Sequence, residues 1–382
     1  MDFKLSEDQL MFKKMFADFC TNEIRPQGEH IDQAEEHPAD LLEQAVDQGF
    51  WAALVPEDLE GCGLDTYTYM LMLEELARAD MSTALILSVH NSLVVKPLLD
   101  HGSDDQKARY LEALAFGETL GAFALTEPNA GSDAAALTTT ATSNGDGYRL
   151  NGAKAWVISG AQAGLLLVFA RATGGITAFL IEKDTPGLRV GYREKTLGLR
   201  GVSCNTIYLD DVRVPLANRL GDEGQGLKIA LGALNLNRLG VAALALGGCE
   251  RALEEAIAFS MEHIQFGGPI AQKQAIQNFV ADAKAQTDAL RYLVVHTAWL
   301  ADTGTDYALQ AAIAKLFGSR AAAEVTNTML QVHGGYGYMK DYAIERYYRD
   351  CRALQIIEGT SQIQQFVIAR QLYKAEGMEI RP

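Results

Sequence analysis

Little in this 382-residue chain favours a crosslinked, fibrous or nucleic-acid-binding protein. Its five cysteines (Cys20, Cys62, Cys204, Cys249, Cys351) are scattered and odd in number, and none forms a C-x-x-C pair. That pattern excludes a disulfide framework and a thiolate metal site, and makes a reduced, cytoplasmic setting the default. Nine prolines and 35 glycines without a three-residue period rule out a collagen-like repeat. Basic residues are scarce, with 33 Lys and Arg against 49 Asp and Glu and a net charge of −16. Such a surface repels phosphate backbones, although a local basic pocket can still hold an anionic ligand. The seven histidines show no metal-ligand spacing. No run of 18 uninterrupted apolar residues suggests a membrane span. Met1 to Ser6 lacks the basic start and apolar block of a signal peptide.

What is present changes texture twice along the chain. From Leu5 to about Gly117 apolar residues recur at three and four, the helical period, with Ser6 and Gln9 forming a capping-box pattern. Leu41 to Leu54, Thr66 to Ala79 and Ala84 to Leu99 are predicted helices. From about Thr119 to Gly221 short strands alternate with turn signals, Asn144-Gly145-Asp146-Gly147 and Asn151-Gly152 among them. Leu165 to Ala170 and Ile176 to Ile181 flank a hairpin at Thr173-Gly174-Gly175, while Val190 to Tyr192 and Asn205 to Leu209 add strands. Long helical periods return over Leu227 to Glu262, Ala271 to Asp302, Tyr307 to Val332 and Gln362 to Lys374. The expected fold is α+β and multidomain: an N-terminal all-α domain (1–118), a middle β-barrel or sandwich (119–225) and a C-terminal four-helix bundle (226–382).

Four segments carry chemistry beyond this architecture. Ala124 to Ala136, at the first α-to-β transition, is rich in small residues, so backbone N–H groups and the Thr126 and Ser132 hydroxyls stay accessible to a polar ligand. Gln331 to Tyr338 places three glycines within four residues, which lets a phosphate or another chain come close and equally suits a helix C-cap. In Ile357 to Gln364, Thr360 or Ser361 can cap the last helix. Glu358 just precedes that cap beside Ile356 and Ile357, where an apolar setting would raise its pKa toward that of a general base. Phe266-Gly267-Gly268-Pro269 breaks a helix before Gln274 restarts one.

Together these segments resemble the acyl-CoA dehydrogenase family. The likeness rests on Thr-Glu-Pro-x-x-Gly-Ser-Asp at 126–133 and the long pattern from Gln331 to Asp350. Val55-Pro56-Glu57, Asn151 to Trp156, Asp211 to Pro215 and Glu358-Gly359-Thr360 extend it along essentially the whole chain. The resemblance implies a homotetramer, a dimer of dimers, with one FAD per subunit. It implies oxidation of an acyl-CoA thioester to the trans-2-enoyl-CoA, with electrons passed to electron-transferring flavoprotein. By resemblance Glu358 removes the α proton, and the β hydrogen leaves as hydride to flavin N5. The Glu358 N–H and a flavin ribityl hydroxyl would hold the thioester oxygen, where negative charge develops. Phe123, Leu125, Thr126 and Ser132 would line the flavin and the substrate entrance, and Trp156 would pack on the isoalloxazine. Phe266, Gln274, Gln331 and the glycines Gly334 and Gly335 would meet the adenylate portion across a dimer contact. Thr360 and Gln362 would lie near the pyrophosphate, while Arg238, Asn235, Ser132 and Gly359 would face the acyl-CoA. Some members carry the base just before this arginine, but here that position is Asn237, which cannot accept the proton.

Two departures from the family pattern stand out. His263 occupies the place of an arginine that pairs with the pyrophosphate, so one charge-assisted contact is lost or becomes pH-dependent. After Trp156, where a hydroxyl often faces flavin N5, an ungapped match gives Ile158 and a one-residue slip gives Ser159. The leading expectation is an FAD-dependent dehydrogenase of a short or branched acyl-CoA, to which Ser88 to Leu93 and the run at 157–161 are similar. The alternatives are a same-fold oxygen-using oxidase and a flavin-poor, redox-silent acyl-CoA-binding protein.

Overall fold

The computed structural model describes residues 4–380; Met1 to Phe3, part of the stretch read above for a signal peptide, lie outside the described residues. Helix α1 (Glu7–Phe19) starts as the sequence predicts: Ser6 Oγ accepts from Gln9 N, and the Gln9 side chain accepts from Ser6 N. Helices α2 (Gly28–Ala34) and α3 (Ala39–Asp47) follow. The predicted helix over Leu41 to Leu54 stops early, because the chain turns at Gly49, whose φ is +76°. Then come α4 (Thr66–Ala79), α5 (Met81–Val89), α6 (Lys96–His101) and α7 (Asp104–Ala115). A π-helical turn, His90–Val95, joins α5 to α6.

The middle strands are β1 (Gly121–Ala124), β2 (Thr140–Ser143), β3 (Gly147–Ile158), β4 (Leu165–Ala172), β5 (Gly175–Glu182), β6 (Leu188–Arg193), β7 (Cys204–Pro215) and β8 (Arg219–Leu220). They form one connected sheet in the order β6-β7-β3-β2-β4-β5-β8, with β1 parallel to β4. Tyr148 of β3 meets Phe179 of β5 edge-on at 5.0 Å although two strands separate them in that order. The sheet therefore curls around a core that includes Leu150, Leu166, Val168, Ile181 and Val212. Asn151-Gly152 is not the turn expected of it. Strand β3 runs through it, and its register against β7 shifts between Leu150 and Gly152. Gly152 has φ +154°, and a Cβ there would lie 2.5 Å from Thr139 Oγ1, so the glycine marks a bulge under close packing.

Helix α8 (Gly226–Glu262) leads through a two-residue hairpin, β9 (Ile264–Gln265) and β10 (Gly268–Pro269), into α9 (Gln274–Asp302) and α10 (Ala308–His333). Then come α11 (Ala343–Ala353) and α12 (Ser361–Ala375). Helices α8, α9 and α10 pack side by side, with α11 and α12 against α10. Helix α4 lies on α8, so Leu73 and Leu76 share one core with Leu239, Leu246, Leu290 and Val325. By length and composition, Met81–His101 and Gly226–Glu262 could cross a membrane, but 89% and 78% of their apolar windows are buried within the protein. Their apolar character is explained by that interior.

Candidate active site

The loop between α11 and α12 presents Glu358 in a left-handed backbone conformation, φ +54°, followed by Gly359 at φ +90°. A non-glycine residue avoids that region unless its surroundings impose it. Here they do. Gln364 Nε2, from the first turn of α12, donates to Gly359 O at 2.9 Å. Lys315 Nζ, from α10, donates to Ile357 O at 3.0 Å and to Gly359 O at 2.6 Å. A Cβ on Gly359 would approach Gln364 Nε2 to 2.6 Å, so a larger residue would displace the clamp. Thr360 Oγ1 accepts from Ile363 N at 3.2 Å and caps α12, as the sequence predicts.

Helix α8 supplies the facing wall. Asn237 is fully buried, accepts from Ser88 Oγ at 2.9 Å, and turns its amide toward the Glu358 carboxyl. Arg238 is buried, donates from Nη1 to Asn235 Oδ1 at 2.8 Å, and keeps its Nε unpaired. Burial raises the Glu358 carboxyl above the ordinary carboxylate range, against the opposing pull of Lys315, the Asn237 amide and Arg238. Burial likewise lowers Lys315 to about 8, with Glu358 opposing. The result is a carboxyl whose proton affinity is raised by burial, with the charges of Lys315 and Arg238 opposing. Its own N–H donates to no backbone acceptor among the described residues.

The segment from Leu125 is fastened to β3 by a buried ion pair. Glu127 Oε1 accepts from Lys154 Nζ at 2.8 Å and from Thr139 N at 2.9 Å, while Oε2 accepts from Thr138 N and Oγ1. Burial disfavours the Glu127 carboxylate, but the bonds from Lys154, Thr139 and Thr138 outweigh it and hold the pKa at about 2. Lys154 Nζ also donates to Leu125 O, and Ala155 N to Thr126 O at 2.9 Å. Phe123 lies against Phe169 at 5.0 Å, Leu125 is buried, Thr126 half-buried, and Ser132 exposed. Trp156 has φ +54° and is 55% exposed, a broad indole face at the end of a bent strand. Ile158 is half-buried, while Ser159 is buried with φ +58° and an unpaired Oγ. Phe123, Ile158 and Ile357 pack against the same core, which joins this surface to the Glu358 loop.

The remaining candidates lie elsewhere. His263 stacks on Phe259 at 4.9 Å, Phe259 stacks on His333 at 4.5 Å, and Tyr336 closes the cluster. Phe266 beside it is 94% exposed. Gln274, Gln331, Gly334 and Gly335 are exposed as well. A rise of 1.5 Å per residue puts His333 about 27 Å from Lys315 along α10, and His263 about 38 Å from Arg238 along α8. One chain does not bring this group to Glu358. Gln362 is exposed near the start of α12.

Sequence reasoning missed Lys315, Lys154, Glu127 and Gln364 as site-building residues. The available signal was a lone charge inside an Ala-rich run, Ala311 to Phe317, which a buried helix does not carry without partners.

The acyl-CoA dehydrogenase N-terminal, middle and C-terminal domains match residues 6–118, 122–212 and 224–373. The chain belongs to the acyl-CoA dehydrogenase family. It is 42% identical to an acyl-CoA dehydrogenase of Bacillus subtilis, over 96% of this chain and 98% of that one. Butyryl-CoA dehydrogenase from Megasphaera elsdenii superposes with a TM-score of 0.95 at 39% identity, covering 98% and 100% of the two chains. A chain in a solved structure of the electron-transferring flavoprotein of Acidaminococcus fermentans reaches 0.96 at 42%, covering 97% and 99%. The family makes this protein an oxidoreductase with an N-terminal helical, a middle β and a C-terminal helical part.

Proposed function

We propose that this acyl-CoA dehydrogenase binds FAD and removes the α and β hydrogens of a short or branched acyl-CoA, giving the trans-2-enoyl-CoA. The observation that carries the reading is Glu358: a carboxyl of raised pKa, on a backbone fixed from two sides, with cations on the facing helices. A base must be ionised yet basic enough to take an α proton, and this environment moves Glu358 toward that balance. The Glu358 N–H, free of any backbone acceptor, would meet the thioester oxygen as negative charge develops there. Asn235, Arg238, Ser132 and Gly359 would line the way of the acyl-CoA. Arg238 adds positive charge beside the reacting atoms, opposite the chain's overall sign.

The residues present suit FAD. Trp156 offers an exposed indole for a planar ring, and Phe123, Leu125, Thr126 and Ser132 would line the same surface, with Leu125 and Thr126 bonded to β3 through Lys154 and Ala155. Ser159, with its unpaired buried Oγ, is the better candidate than Ile158 for a polar contact to the ring. When bound, FAD supplies the acceptor for the β hydride. Thr360 and Gln362 would serve the pyrophosphate of the same site. Phe266, Gln274, Gln331, Gly334 and Gly335 would serve the adenylate end of a neighbouring copy's FAD, and His263 its pyrophosphate, since they lie too far from their own Glu358. That division supports a dimer, and the family resemblance would pair two such dimers into a homotetramer. The functional units would divide near residues 118 and 225, with electron-transferring flavoprotein as the acceptor and the cytoplasm as the setting.

The test is anaerobic addition of butyryl-CoA to the FAD-loaded protein. The flavin band near ~450 nm should bleach. Binding without bleaching would instead make the protein a redox-silent acyl-CoA binder. Rapid reoxidation by oxygen with peroxide release would make it an oxidase.

A further inference from the structure

We infer that Lys315 is a positioning residue for the dehydrogenation: it aims the Glu358 carboxylate and turns the Glu358 N–H toward the thioester oxygen. The inference rests on Glu358 being the base.

Lys315 is completely buried in α10, a place lysine occupies only when its charge is compensated. Its partners are two main-chain oxygens, Ile357 O and Gly359 O, immediately before and after Glu358. A trans peptide points its C=O and N–H in opposite directions. Anchoring Ile357 O to Lys315 therefore turns the Glu358 N–H away from α10. Anchoring Gly359 O fixes the next peptide but one, and with both ends held Glu358 keeps its left-handed conformation. An ammonium on Ile357 O also polarises that peptide and strengthens its N–H as a donor. Gln364 duplicates only part of this clamp. It donates to Gly359 O, but no donor other than Lys315 reaches Ile357 O among the described residues.

The charge acts together with the geometry. Glu358 is faced by Lys315 from α10 and by Asn237 and Arg238 from α8; Lys315 is faced by Glu358 and Arg238. The Lys315 cation favours the ionised base. Its loss should move the pH at which Glu358 ionises upward, so the rise of rate with pH shifts to higher pH.

The test uses FAD-loaded Lys315→Met and Lys315→Gln beside the wild type and Glu358→Gln. Flavin reduction by butyryl-CoA is followed across pH, together with binding of butyryl-CoA and of acetoacetyl-CoA, whose enolate places negative charge on the thioester oxygen. Lys315→Met should slow limiting flavin reduction roughly 10- to 100-fold and move its acidic limb upward, with butyryl-CoA affinity retained and acetoacetyl-CoA affinity reduced. Lys315→Gln, which keeps a donor without the charge, should recover part of the rate but none of the pH shift. An unchanged rate and limb in either variant overturns the inference. So does a rate lost only in proportion to flavin content and butyryl-CoA affinity, which is what a merely structural lysine would give. Should Lys315→Met fail to fold, Lys315→Gln decides by the same two readouts. Glu358→Gln separates the two readings: reduction at the wild-type rate removes Glu358 as the base whatever Lys315 does. Loss in that variant with normal Lys315 variants removes only the lysine's role.

Discussion

The base role proposed for Glu358 depends on its backbone as much as on its carboxyl. Replacing it with Gln keeps size and hydrogen bonding but removes the proton acceptor. Flavin and acyl-CoA binding should therefore persist while bleaching slows by roughly 10²-fold or more, read by stopped-flow absorbance. The sign of the pH dependence follows from the raised pKa. The protonated carboxyl cannot act as a base, so the limiting rate should rise with pH through a value above the ordinary carboxylate range and fall away below it. His263→Arg is expected to restore a permanently charged fork where the imidazole now stacks on Phe259. FAD affinity, measured by flavin fluorescence, should tighten, and an unchanged affinity would place the phosphate contact elsewhere. At this scale the raised pKa of Glu358 and the Thr360 cap were legible because the apolar neighbours and the cap are adjacent in sequence. Lys315 was not, because it lies 42 residues from Ile357 and only the fold makes them neighbours.

The elements show why pattern reading succeeded for most helices and stumbled on strands. Thr66–Ala79 was legible to its ends because a helix signals its own period and caps. Asn151-Gly152 has the composition of a hairpin turn, yet the pairing of β3 with β7 decided otherwise, and that pairing lies 60 residues away. Helix α11 was hidden inside the segment from Gln331 to Asp350, where the glycines drew attention from the amphipathic spacing of Ile344, Tyr347 and Cys351. The Glu127–Lys154 pair matters most at this level, since it couples the segment beside Trp156 to β3. Lys154→Met would leave Glu127 buried and unpaired, at a cost of about 3–5 kcal/mol by urea unfolding, and should weaken FAD retention. Glu127 ionises at about 2 in the folded protein, below its ordinary value. Its contribution to stability is therefore present above that ordinary value and lost as pH falls toward about 2, and the variant, which keeps only the Thr138 and Thr139 bonds, should show less of this acid sensitivity.

For the whole molecule, the decisive feature is the length of α8 and α10. Each carries residues of the Glu358 site in its middle and the aromatic cluster of Phe259, His263 and His333 at its far end. Sedimentation should give a particle about four times the 41.5 kDa chain. Dilution that separates the copies should release FAD at the same concentration, because in the proposed assembly neither end holds the cofactor alone. An assembly that stays flavin-loaded as a monomer would contradict this division. The three-part order of helices, sheet and helices was legible from texture alone. The proposed sharing between copies came only from the family resemblance, since periodicity reports a helix's length and says nothing about who stands at its other end.

In the proposed assembly every chain works for two centres, one at home and one next door. A lesion at Glu358 and a lesion at Phe266 would each silence a uniform assembly. A mixed assembly of the two mutants would contain some centres that combine two healthy ends and others that combine two damaged ones. Two individually inactive proteins, refolded together, should therefore regain part of the lost turnover.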